Sequence, residues 1–165
     1  MYAEGHSFFT YMSDNADSLS SCCRLRNEIT DNGFSYTLSA GGVSTGSKSV
    51  LTINLNRCIQ YAVRKGMPYQ FFLEEVVDLV HKVQNSYNEN LRYMFEKGML
   101  PLCDAGYINM NRQYLTIGVN GLVEAAEFLG IEISDNPAYE EFTQQILGTV
   151  ETYNKKYRTK DVMFN

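Results

Sequence analysis

The chain has 165 residues, 44% of them hydrophobic, enough for one compact domain with a real core. Its net charge of −5 gives no electrostatic case for nucleic acid or an anionic membrane as partner, and no apolar run approaches the roughly 20 residues of a membrane helix. The N-terminal stretch MYAEGHSFFTYMSDNAD lacks the basic start and apolar centre of a signal peptide, so the four cysteines read as cytosolic and reduced rather than as a disulfide scaffold.

Residues 1–17 alternate aromatic and polar positions, as a short strand and loop would. From Ser18 to Ser49 the chain is loop-like, punctuated by DNG at 31–33 and AGGVSTGS at 40–47. So long a loop in a compact domain is uncommon and usually functional. SVLTINLNR at 49–57 predicts a strand with Val50, Thr52, Asn54 and Asn56 on one face and Leu51, Ile53 and Leu55 on the other. A long helix follows from Tyr69 to Lys97, with Pro68 near its start and Gly98 at its end. Phe72, Val76, Leu79, Val80, Val83, Tyr87, Leu91 and Met94 trace its apolar stripe. A turn-rich stretch leads to a strand over Gln113 to Val119, then a helix closed by Gly130 and another capped by Asn136 with Pro137 in its first turn. Residues 161–165 open a further strand. The order of elements predicts α/β architecture with a parallel sheet, yet two or three strands cannot close such a sheet. The chain reads as incomplete.

The chemistry-bearing residues cluster early. Cys22 and Cys23 are adjacent, within SLSSCCRLRNEI at 18–29. A structural zinc site needs about four ligands in spaced pairs, and the histidines, His6 and His81, lie elsewhere in the sequence. A disulfide between neighbours is strained. Burial as inert packing residues is the ordinary fate of free thiols, but Arg24 and Arg26 would favour a thiolate in a loop. Spacing alone leaves reactive and packed readings open.

AGGVSTGSKS at 40–49 offers glycine-freed amides, hydroxyls and Lys48, a set that suits phosphate, but it lacks P-loop spacing and precedes a strand. The plain reading is a flexible loop. Cys58 and Cys103 read as small packing residues, and the acids of EEVVD at 74–78 as a solvated helix face. Gly118 and Gly121 suggest a close backbone approach to a helix or ligand.

Taken together, SFFTYMSDNADSLSSCCRLRNEI, GGVSTGSKSVLTINLNR, LPLCDAGYINMNRQYLTIGVNGLVEAAEFLGI and the closing VMFN resemble the catalytic subunit of anaerobic (class III) ribonucleoside-triphosphate reductase, in order and over nearly the whole chain. The resemblance implies a ten-stranded glycyl-radical-enzyme α/β barrel of two half-barrels with a finger loop through its centre. Residues 1–165 would be one partial barrel domain with the finger at about 18–49. It implies that Cys23, followed by Arg24, becomes the thiyl radical that takes the ribose 3′-hydrogen, with Cys22 assisting. Ser21, Ser44, Thr45, Gly46 and Ser47 are the candidate substrate-binding positions.

Formate-using relatives carry a methionine and an asparagine where this chain has Ser21 and about Ser47, which favours a small redoxin as reductant over formate. No metal site or bound cofactor is expected in this segment. The family's glycyl radical is installed by an S-adenosylmethionine/iron–sulfur activase on a segment not seen here, nor are the family's zinc site and nucleotide-sensing domain. The expectation is therefore a cytoplasmic fragment that acts on ribonucleoside triphosphates only with the remaining reductase segments and activase in trans. Its unpaired strand edges would favour homo-oligomers or aggregation. The competing expectation is a non-catalytic remnant whose long helix docks on partner subunits. A free dithiol redox protein is the weakest reading, for want of C-x-x-C spacing.

Overall fold

The structure, a computed structural model, describes residues 18–21, 25–28 and 46–165. Strands β1 (Ser18–Ser21) and β2 (Leu25–Glu28) pair antiparallel, with Ser21 opposite Leu25. The stretch expected to be all loop therefore contains a two-stranded ladder.

The main body is a three-stranded parallel sheet in the order β3 (Gly46–Asn54), β4 (Gln113–Asn120), β5 (Met163–Phe164). Helices α1 (Leu55–Arg64) and α2 (Tyr69–Glu96), then α3 (Pro101–Asp104) and a 3-10 turn (Met110–Arg112), connect β3 to β4. Helices α4 (Leu122–Phe128) and α5 (Pro137–Tyr157) connect β4 to β5.

Two expectations need correction here. The strand predicted over 49–57 begins three residues earlier and ends at Asn54, where its final residues become α1. The cause is a cap hidden in a strand-like pattern: Asn54 keeps extended backbone while its Oδ1 accepts the Arg57 N–H at 3.1 Å, starting a helix at Leu55. Gly46 and Ser47 accordingly sit in a strand, not in a flexible loop.

The long helix forms where expected, but its buried face is rotated from the predicted stripe. Leu73, Val77, His81, Gln84 and Asn88 face inward, whereas Leu79, Val83 and Tyr87 are exposed. The predicted stripe is borne out in part: Val76 and Val80 pack against the core and Phe72 against Tyr61, while Leu79, Val83 and Tyr87 form a flank that the described residues leave open. The helix ends as read, with Gly98 at φ 67° just beyond Lys97. The caps at Asn136 and Gly130 also form as read: Asn136 Oδ1 accepts from the Tyr139 N–H at 2.9 Å, and Gly130 has φ 72°.

The core lies between one face of the sheet and the helices. Ile53, Leu115, Ile117 and Phe164 from the strands meet Leu55 and Ile59 of α1, Leu73 and Val77 of α2, and Phe142, Ile146 and Val150 of α5. Full burial of such a side chain stabilises by about 1.5–3 kcal/mol, so this one-sided core holds the helices to the sheet. Asp78 ties α2 to α5: its Oδ1 accepts from Lys156 Nζ at 3.0 Å and Tyr157 OH at 2.8 Å, and its Oδ2 pairs with Lys82 at 2.6 Å. Of the acids read as a solvated face, Asp78 is thus a clamp between helices.

Candidate functional site

Parallel sheets are normally covered on both faces, and their strands are apolar throughout. Among the described residues the helices cover only one. Alternation puts Val50, Thr52 and Asn54 of β3 on the other face, beside Tyr114, Thr116, Gly118 and Asn120 of β4, with Thr52 opposite Gly118 and Asn54 opposite Asn120. A register shift between Ser47 and Ser49 makes room for Lys48 as an extra residue and carries Ser47 onto the open face.

A ladder of polar groups crosses the three strands there. Ser47 Oγ lies 2.8 Å from Thr116 Oγ1, and Thr116 Oγ1 donates to Asn165 Oδ1 at 2.7 Å. Each hydroxyl carries one hydrogen. With the Thr116 proton on Asn165, Ser47 donates either along the ladder to Thr116 or back to Ser49 O at 2.9 Å. The ladder can therefore present a donor or an acceptor to a hydroxyl-bearing ligand by one rotor turn.

The glycines keep this face flat. A Cβ at Gly118 would stand 2.6 Å from Thr52 Oγ1, so the β3–β4 pair accepts no side chain there. Gly121, at φ 74°, turns the chain from β4 into α4 where a Cβ would stand 3.2 Å from Asn56 Cβ. Gly121 meets the expectation of a close approach to a helix, whereas the close neighbour of Gly118 is Thr52 of the adjacent strand, not a helix or ligand. Gly46 also faces a near neighbour, Gln113 Oε1, at 3.0 Å from its would-be Cβ.

Lys48 turns away from the ladder. Its half-buried Nζ donates to Met110 O at 3.2 Å, and burial followed by the nearby Arg92 charge holds it below the ordinary lysine pKa. A cavity of about 500 Å³, lined by Arg92, Phe95, Cys103, Ile108 and Asn111 among others, lies beside Met110 at the end of α2. Burial pushes the Cys58 thiol up, and burial followed by Asp104 does the same for Cys103. Both shifts favour the neutral thiol; Cys58 packs against the core as expected, whereas Cys103 lines the cavity. Among the described residues no three His, Cys, Asp or Glu side chains group as a metal site, and no helix is long and apolar enough to cross a membrane.

Of the residues singled out in the sequence, Ser47 stands on the open face and Gly46 begins β3 beside it. Ser21 ends β1, where only the backbone pairing is described. Cys22, Cys23, Ser44 and Thr45 lie outside the described residues. The sequence reading missed Thr116 and Asn165. Their signal was the polar alternation Thr116, Gly118, Asn120 in a strand whose parallel neighbours should make it apolar on both faces.

The described residues form a parallel α/β layer with one open face, and comparison with known proteins shows the family to which it belongs. The family model of anaerobic ribonucleoside-triphosphate reductase matches residues 2–165, and the chain belongs to that family. It is therefore a member of a reductase enzyme family. No curated protein matches the sequence. Among solved structures, the Thermotoga maritima anaerobic ribonucleotide reductase with citrate in the active site aligns at 30% identity and a TM-score of 0.65, over 73% of this chain and 23% of that one. A further anaerobic ribonucleotide reductase aligns at 30% identity and a TM-score of 0.66, over 73% of this chain and 21% of that one. The T. maritima enzyme in complex with dATP and CTP aligns at 30% identity and a TM-score of 0.65, over 73% of this chain and 22% of that one. The chain thus spans under a quarter of the length of these relatives.

Proposed function

We propose that this chain is a wall segment of the catalytic barrel of an anaerobic ribonucleoside-triphosphate reductase, and that its open sheet face lines the lumen in which a ribonucleoside triphosphate is reduced. The observation that carries this reading is the bare polar face with its Ser47–Thr116–Asn165 ladder on a sheet otherwise built like a buried parallel one. Residues 1–165 form part of one ten-stranded barrel domain, closed by the remaining reductase segments. The finger, expected at about 18–49, ends before Gly46 on this reading, because residues 46–49 belong to β3 of the wall.

Cys23 is the radical thiol. As a thiyl it takes the ribose 3′-hydrogen, after which the 2′-hydroxyl leaves as water with an added proton. The reductant dithiol closes to a disulfide and supplies two electrons and two protons, one proton leaving in the water and the other, with the electrons, placing hydrogen at C2′. Cys23 then returns the hydrogen atom to C3′. The glycyl radical, once installed on another segment by its activase, supplies the oxidising equivalent that generates the thiyl. Ser47 and the neighbouring Ser21, Ser44, Thr45 and Gly46 are placed by this reading along the substrate, where hydroxyls and bare backbone suit a sugar and its phosphates. Ser21 and Ser47, standing where formate users carry other residues, favour a redoxin, with Cys22 as relay. The exposed flank Leu79, Val83 and Tyr87 supports docking of α2 on the rest of the enzyme, and is also what a non-catalytic interaction module would show.

Two assays of the complete reductase test this reading under anaerobic conditions. Thr116→Val keeps shape and removes the central hydroxyl of the ladder; it should lower kcat/KM for the triphosphate while leaving the fold intact, and an unchanged kcat/KM removes the lumen assignment. Turnover should be supported by a reduced redoxin, whereas strict dependence on formate sinks the dithiol reading.

A further inference from the structure

Helix α2 buries two kinds of side chain. Leu73 and Val77 come first; His81, Gln84 and Asn88 follow along the same face, each at most 1% exposed. His81 is bonded at both ring nitrogens, to Val77 O at 2.7 Å and Asn154 Oδ1 at 2.8 Å. Gln84 Nε2 donates to Thr116 O at 3.2 Å. A carbonyl oxygen only accepts, so this bond fixes the amide and leaves Gln84 Oε1 as an acceptor. Neither Gln84 Oε1 nor Asn88 Oδ1 meets a protein donor among the described residues. Buried acceptors without a donor are rare in folded proteins, and the usual partner is an ordered water.

The spacing narrows the partner. Residues four apart on a helix stand about 5–6 Å apart at Cβ and share a face. A water that donates to both acceptors, at about 2.8 Å to each and about 105° between them, spans oxygens roughly 4.4 Å apart, which side chains on one helix face can reach. Two acceptors match the two hydrogens of one water. Both are neutral amide oxygens, with no carboxylate in the pair to offset the charge of a cation. We propose that Gln84 Oε1 and Asn88 Oδ1 bind one buried water between α2 and the sheet, which donates a hydrogen to each.

The bonds then run from Asn88 through the water and Gln84 to the peptide oxygen of Thr116, whose hydroxyl meets Ser47 and Asn165 on the opposite face. The water is the foot of the network that holds the ladder's central residue.

Crystals of the chain, or of the complete reductase containing it, diffracting to about 2 Å or better, test the proposal. Density for one water at about 2.6–3.2 Å from both oxygens is expected. Both oxygens packed on carbon, or taken up by a protein donor, overturn it. A cycle of Gln84→Met and Asn88→Leu gives a second readout in the urea midpoint. A shared water makes the double variant lose less than the sum of the singles; the Thr116 bond, lost with Gln84 in either background, cancels. Strictly additive losses overturn the shared water, and if the variants do not fold the density decides.

Discussion

Gly118→Ala tests the β3–β4 register that shapes the open face. Gly118 does not carry a left-handed φ, so the expected effect is steric and not conformational. The new methyl would stand 2.6 Å from Thr52 Oγ1, 3.3 Å from Thr52 Cβ and 3.4 Å from Thr52 Cα. Non-bonded carbon atoms rest at about 3.5–4.0 Å. Rotating Thr52 moves the oxygen but not Cβ or Cα, so the strands must also part by a few tenths of an ångström. Overpacking of this kind costs about 1–3 kcal/mol. With a urea slope of roughly 2 kcal/mol/M, the midpoint should fall by about 1 M at the centre of that range. Thr52→Ala removes the closest contact, so the double variant should recover part of the loss, a coupling of about 0.5–1 kcal/mol. Equilibrium unfolding of both singles and the double reads all of this. A Gly118→Ala midpoint at or above that of the parent, or strictly additive effects, refutes the register.

Other expectations follow from particular contacts. Asn54→Ala removes the side-chain cap of α1 and should cost about 1 kcal/mol, read by unfolding, with Asn54→Asp retaining most of it. Leu115→Ala empties a fully buried site on the central strand and should cost about 2–5 kcal/mol, the largest loss among these variants. Asp78 is held well below the usual carboxylate range by hydrogen bonds from Lys82, Tyr157 and Lys156. Because the folded-state pKa is depressed, its contribution is present above the unfolded value near 4 and is lost as pH falls below it. Unfolding midpoints from pH 7 down to pH 2 should therefore decline less steeply in Asp78→Asn than in the parent.

Much of the fold was legible because its signals are local. The caps at Asn136 and Gly130, the end of α2 at Gly98 and the strand at Gln113 each rest on a few neighbouring residues, and the structure has them. Helix α1 was hidden because Leu55, Asn56 and Arg57 continue the alternation of the strand, and only the side-chain geometry of Asn54 breaks it. The inward face of α2 was misread for a different reason. Its buried positions include His81, Gln84 and Asn88, which burial prefers only when the tertiary fold supplies partners such as Asn154 and Thr116 O. The apolar stripe over Leu79, Val83 and Tyr87 is real but faces outward among the described residues.

Part of the candidate site was visible as strand parity, which placed Thr52 and Asn54 together. Ser47 was singled out, but as a loop residue. Its true position depends on the register shift at Lys48, which no alternation pattern reveals. Thr116 meets it only through pairing across 69 residues of sequence, and Asn165 meets Thr116 across 49.

The central claim is that this segment brings the radical thiol to a reductase lumen. The direct measurement is anaerobic reduction of a ribonucleoside triphosphate by the activated complete enzyme carrying Cys23→Ala, with the glycyl-radical signal recorded by electron paramagnetic resonance in the same samples. The account predicts a full glycyl-radical signal, intact assembly and no deoxyribonucleotide. Turnover comparable with the parent enzyme would contradict it.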